Sequence, residues 1–75
     1  MTEAEARALL RAWPGVGGLE AWIAEQVWLP TPGGWDVQGT LRGWGFRLEP
    51  IADGVRVTAG EQWSSRPEVW VVRPR

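Results

Sequence analysis

Residues 35–59, WDVQGTLRGWGFRLEPIADGVRVTA, decide the fold. Apolar residues alternate with polar ones along them: Trp35, Val37, Gly39 and Leu41 against Asp36, Gln38 and Thr40, then Trp44, Phe46, Leu48, Pro50 and Ala52. Successive side chains of a strand point to opposite faces, so the pattern predicts strands over 35–41 and 44–52, each with one buried face. Arg42-Gly43 fits a two-residue hairpin turn, and Asp53-Gly54 is the strongest short hairpin signal in the chain. The first turn sets Leu41 opposite Trp44, Gly39 opposite Phe46, Val37 opposite Leu48 and Trp35 opposite Pro50. The second sets Ala52 opposite Val55, Pro50 opposite Val57 and Leu48 opposite Ala59. Both turns choose the same apolar face, which predicts an antiparallel meander.

Downstream, Glu68 to Arg73 reads as a last strand whose Val69, Trp70, Val71 and Val72 form an unbroken apolar run. Such a strand is either covered on both faces or has one face waiting for a partner. The loop from Gly60 to Pro67 carries Trp63, Ser64, Ser65 and Arg66.

Upstream, Pro30, Pro32, Gly33 and Gly34 mark a joint at 30–34 between a helical part, 1–29, and the meander, 35–75. Thr2 and Glu5 form a capping box at the head of a helix over Thr2 to Ala12. Glu3 and Glu5 lie at its positive end and Arg7 and Arg11 towards its negative end, while Ala6, Leu9, Leu10 and Trp13 form the apolar stripe. Pro14 and Gly15 stop it. A second helix is predicted from about Gly18 to Trp28, where Leu19, Trp22, Ile23 and Val27 share a face. The expected fold is therefore one α+β domain over residues 1–75: an N-terminal helical hairpin packed on one face of a three- or four-stranded antiparallel meander, in the order ααββββ.

Composition narrows the function. The chain has 75 residues, seven Trp, eight Arg as its only basic residues, and no Cys, His, Lys, Tyr or Asn. Without Cys and His there is no disulfide, thiolate nucleophile or ordinary zinc site, and without His, Lys or Tyr the common proton shuttles and the Schiff-base amine are missing. An enzyme is therefore not expected, and no cofactor or metal is implied. Neither a membrane span nor a signal segment is predicted, and a disulfide-free domain held by packing points to the cytoplasm. The bias to Ala, Gly, Pro, Arg and Trp suggests a GC-rich bacterial source, and the lack of Asn and Cys suggests a thermophilic one.

Three groups of residues are candidate sites. On the polar face of the meander the predicted register sets Asp36 opposite Glu49, a carboxylate pair suited to acid–base work or to an oxygen-ligated divalent metal. Arg47 and Arg56 are close enough to neutralise it, which favours an ordinary exposed charge ladder.

The segment Trp13-Pro14-Gly15-Val16-Gly17-Gly18-Leu19-Glu20-Ala21 resembles the hairpin of helix-hairpin-helix DNA-binding motifs, with Gly15, Val16, Gly17 and Ala21 at the positions of the Pro-Gly-hydrophobic-Gly…Ala pattern. The resemblance covers about a dozen residues and implies that Gly15, Gly17 and Gly18 offer backbone amides to a phosphate. Ala24 stands where the pattern expects a larger aliphatic, and Glu20 and Glu25 where basic residues are usual. Residues 1–34 hold two Arg against four Glu, a net −2 that repels a phosphate backbone. The Arg and Trp residues interleaved through the meander are a second nucleic-acid candidate, but residues 35–75 hold six Arg against five acids, a net of only +1.

The third group is an interaction surface of Trp28, Trp63, Arg66, Val69, Trp70 and Val71, because Trp and Arg concentrate at binding hot spots. Packing is expected to claim Trp13, Trp22, Trp35 and Trp44 for the core. The function expected is a non-catalytic protein-binding or regulatory module that engages a protein partner or a second copy through its last strand, with a nucleic-acid-binding protein as the alternative.

Overall fold

The computed structural model describes residues 1–61 and 65–74. Helix α1 spans Glu3–Ala12, a 3₁₀ turn spans Val16–Gly18, and helix α2 spans Leu19–Glu25. Five strands follow: β1 Trp28–Thr31, β2 Gly34–Val37, β3 Trp44–Ile51, β4 Gly54–Glu61 and β5 Glu68–Val72. They form one antiparallel sheet in the order β1-β2-β3-β4-β5. The architecture is α+β, with one strand more than the three or four expected.

α1 forms as its sequence dictates. The Thr2 hydroxyl accepts from the Glu5 amide at 3.1 Å, and the Glu5 carboxylate accepts from the Thr2 amide at 2.9 Å. Those bonds favour the ionised carboxyl and hold Glu5 below its usual titration range. Trp13, the residue before Pro14, is already extended (φ −70°, ψ 127°), as the proline ring requires.

The extra strand comes from residues expected to be helix and joint. α2 ends at Glu25 rather than near Trp28, and Gln26 is extended. Trp28 to Thr31 then pair with Val37 to Gly34 around a Pro32-Gly33 turn. A proline within a strand is tolerated here because β1 is a sheet edge, where Pro30 can turn its missing donor outward. The truncated helix is closed by side chains: the Trp28 indole donates to the Ile23 carbonyl at 2.9 Å, and the Arg7 guanidinium donates to the carbonyls of Ala24 and Gln26.

Both hairpins keep the predicted face but slide by two residues. Leu41 and Trp44 do pair around Arg42-Gly43, exchanging hydrogen bonds of 3.0 and 2.9 Å. Beyond them, Trp35 faces Leu48 and Asp36 faces Arg47. Residues 37–40 therefore oppose only Gly45 and Phe46, and the surplus is taken up at a bend where Gly39 has φ 109° and the Gln38 amide bonds the Val27 carbonyl. In the next hairpin the turn is Ala52-Asp53, with Ile51 facing Gly54, Pro50 facing Val55, Leu48 facing Val57 and Phe46 facing Ala59. Gly54 is not a turn glycine. It lies inside β4, where a Cβ would collide with the Val72 carbonyl.

A slip of two restores each side chain to its own face, so the core is the expected one. Ala6, Leu10, Ile23 and Ala24 from the helices meet Trp28, Val37, Phe46, Leu48, Val55, Val57, Ala59 and Val72 from the sheet. The tryptophans divide differently from expectation. Trp28, a candidate for partner binding, is the buried one among the described tryptophans, while Trp13, Trp22, Trp35 and Trp44 are half-buried around the core margin. Trp28 packs against Trp35 (ring centroids 5.4 Å apart), and Trp22 meets Phe46 edge-on at 5.8 Å.

Candidate binding surfaces

The helices cover one face of the sheet and leave the other open. On the open face the carboxylate pair does not form as expected: Asp36 lies opposite Arg47 and bonds it at 3.3 Å, and Glu49 lies opposite Arg56 at 3.9 Å. The register slip inserts a cation across from each acid, giving two exposed ion pairs of the kind that contribute little to stability. No group of three or more His, Cys, Asp or Glu is arranged to hold a metal ion among the described residues.

The glycines of the 14–18 hairpin meet a carboxylate of their own chain. Glu20 is the one buried charged side chain among the described residues, and its carboxylate lies against Gly15 so closely that a Cβ there would strike it. Gly17 and Gly18 both have positive φ and stand exposed at the head of α2, which has only seven residues. A buried anion beside the hairpin opposes a phosphate at the same place. Arg47 and Arg56 are engaged with acids on the open face, whereas Trp44 packs against the core on the helix face. Among the described residues, Arg47 and Arg56 therefore lie on the opposite face of the sheet from Trp44.

The residues of the third group are distributed unequally. Trp28 is only 5% exposed, with its N–H bonded and the Arg7 guanidinium 4.1 Å above its ring, so it has no surface to offer a partner. Trp63 lies outside the described residues. Arg66 is exposed just before Pro67. Val69, Trp70 and Val71 do come together, on β5 at the sheet edge. Val69 is 55% exposed, Val71 is half-buried beside it on the open face, and Trp70 points to the helix face with a buried indole N–H that has no acceptor among the described residues.

The two edges are not equivalent. β1 has four residues and contains Pro30, both of which blunt an edge. β5 has five residues, none of them proline, and carries its apolar side chains beside an unpaired backbone. The sequence of residues 28–31 reads as helix and joint, so the contrast between β5 and β1 emerges only in the folded sheet.

A concavity lies on the helix face. It is a cleft of about 650 Å³ between the head of α2 and the tip of the β2–β3 hairpin, with Leu19, Trp22, Trp44 and Phe46 among its walls and Arg42 and Glu68 at its sides. From the sequence, Leu19, Trp22, Trp44 and Phe46 read as apolar-face residues, and Arg42 and Trp44 as part of the interleaved Arg and Trp candidate. Compared with protein-family models, curated proteins and solved structures, the chain has no significant match.

Proposed function

We propose that this chain is a non-catalytic protein-binding module whose docking edge is β5, and that the strand it takes is the β5 of a second copy. The observation carrying this reading is the asymmetry of the edges. A proline blunts β1, while β5 presents five consecutive residues able to pair.

β5 also suits its own sequence. A two-fold axis normal to the sheet pairs residues of like face, so a dimer centred on Trp70 sets Val69 against Val71 of the partner, and Val71 against its Val69. That joins two half-exposed apolar patches on the open face and extends the sheet to twice its width. A net charge of −1 opposes such association only weakly. One edge strand buries well under the roughly 1,200 Å² of a standard interface, so a dissociation constant of tens to hundreds of micromolar is expected. The missing His, Cys, Lys and Tyr support a binding role over a catalytic one, and the cytoplasm is the proposed setting for a fold held by packing alone.

Sedimentation equilibrium tests the reading. The wild type is expected to dimerise across about 10 µM to 1 mM, and Val69→Lys, at an exposed position, to remain monomeric with an unchanged circular dichroism spectrum. A wild type that stays monomeric at about 1 mM contradicts it. So does a dimer indifferent to Val69→Lys.

A further inference from the structure

The cleft between α2 and the β2–β3 hairpin combines an aromatic lining with two charged side chains and a strained turn. Trp22, Trp44 and Phe46 are among its lining residues, Phe46 buried at its floor and both tryptophans half-buried. Its volume of about 650 Å³ falls within the roughly 300–1,000 Å³ of small-molecule sites. It also brings together two opposite charges without an ion-pair partner among the described residues. Arg7, Arg11, Arg47, Arg56 and Arg73 each hold an acid within 4.0 Å, and Arg66 has an interaction of its own. Arg42 has none among the described residues, and neither does Glu68. The two line one cleft without reaching each other.

The backbone adds an independent observation. Arg42 has φ +53°, the one non-glycine residue in the left-handed region among those described. It occupies the first central place of a two-residue hairpin turn, where Asn or Asp adopts that conformation at least cost. An arginine there makes a poorer turn and sets a guanidinium at the mouth of an aromatic cleft. Strain retained at a concave site points to a use for the side chain.

We propose that the cleft binds an aromatic α-amino acid, with the ring lying against Trp22 and Trp44, the carboxylate on Arg42 and the ammonium on Glu68. A dicarboxylate would meet repulsion from Glu68, and a diamine from Arg42. A zwitterion with one flat apolar substituent satisfies both charges and fills the aromatic walls.

L-phenylalanine is the probe, because it does not absorb where tryptophan is excited selectively. Its titration is expected to change the intrinsic tryptophan emission saturably, at a midpoint on the order of 0.1–1 mM for a site open to water. 3-Phenylpropionate, which lacks the ammonium, and phenethylamine, which lacks the carboxylate, are each expected to bind about tenfold more weakly. Arg42→Asn and Glu68→Gln should weaken phenylalanine by a similar factor. Arg42→Asn should also raise the thermal midpoint by about 2–5 °C as the turn strain is relieved, which separates loss of a ligand contact from loss of the fold. No saturable change up to about 10 mM phenylalanine overturns the proposal, as does binding that ignores both variants. Equal binding of phenylalanine and 3-phenylpropionate overturns the role of Glu68.

Discussion

Replacing Arg7 with Met should be among the most damaging single changes available outside the apolar core. Arg7 sits on α1, yet its guanidinium reaches the end of α2, donating to the Ala24 carbonyl and, at 2.8 Å, to the Gln26 carbonyl. It lies 4.1 Å above the Trp28 ring at the start of β1 and also pairs with Glu3 at 3.3 Å. One side chain thus joins both helices to the sheet edge, with only 19% of its surface exposed. Methionine keeps the aliphatic stem and removes the donors. Hydrogen bonds from a charged donor contribute about 1.5–3 kcal/mol each, and the ring contact about 1 kcal/mol. Water can re-solvate part of the helix end, which brings the expected loss to about 3 kcal/mol. A domain of this size has roughly 4–11 kcal/mol in total, so the effect is a large fraction of its stability. In urea, with a slope near 1 kcal/mol per M, the unfolding midpoint should fall by about 3 M. Arg7→Lys, which keeps the charge but not the planar fork, should lose about half as much. A midpoint for Arg7→Met within about 0.5 M of the wild type would refute the assignment of Arg7 as the joint between helices and sheet.

Other changes test neighbouring parts of the account. Gly54→Ala drives a methyl into the Val72 carbonyl and should cost at least about 2 kcal/mol by chemical denaturation, selectively loosening β5 amides in hydrogen exchange. Thr2→Ala removes the cap of α1 and should cost about 1 kcal/mol. Glu5 is held below its ordinary value of 4.5 in the folded state, so the stabilisation it gives is complete above that pH and is lost as pH falls through the depressed value. The difference in thermal midpoint between wild type and Glu5→Gln should therefore be present at pH 7 and vanish in strong acid. Trp70→Phe removes a buried donor without an acceptor among the described residues, so its cost should stay below about 1.5 kcal/mol despite the smaller ring, whereas Leu48→Ala, fully buried, should cost about 2–5 kcal/mol.

Much of the fold was legible because period and face survive errors of register. The alternation from Trp35 to Ala59 identified the buried face even though both hairpins slid by two residues, since a shift of two leaves each side chain where it was. The slip itself was not legible. Asp53-Gly54 signals a turn by its usual chemistry, but Gly54 is needed where the backbone of β5 passes, so Ala52-Asp53 became the turn. Residues 28–31 misled because Val27 and Trp28 continue the apolar pattern of α2, and Pro30 reads as a breaker unless the strand is known to be an edge. Packing logic left Trp28 unassigned, because the Arg7 guanidinium and the Ile23 carbonyl that bury it reach it only in the folded chain. The carboxylate pair of Asp36 and Glu49 failed through register alone. β5 was legible as a strand from its apolar run, but its place at the sheet edge was not. The cleft was not, because Leu19, Arg42 and Glu68 meet only in three dimensions.

The central claim is that β5, and not β1, is the edge this protein uses. Amide hydrogen exchange measured residue by residue at about 10 µM and again at about 1 mM tests it most directly. Amides of Glu68–Val72 that face outward should gain protection of at least about tenfold with concentration, while those of Trp28–Thr31 should not change. Protection that rises at β1 instead, or at neither edge, would contradict the account.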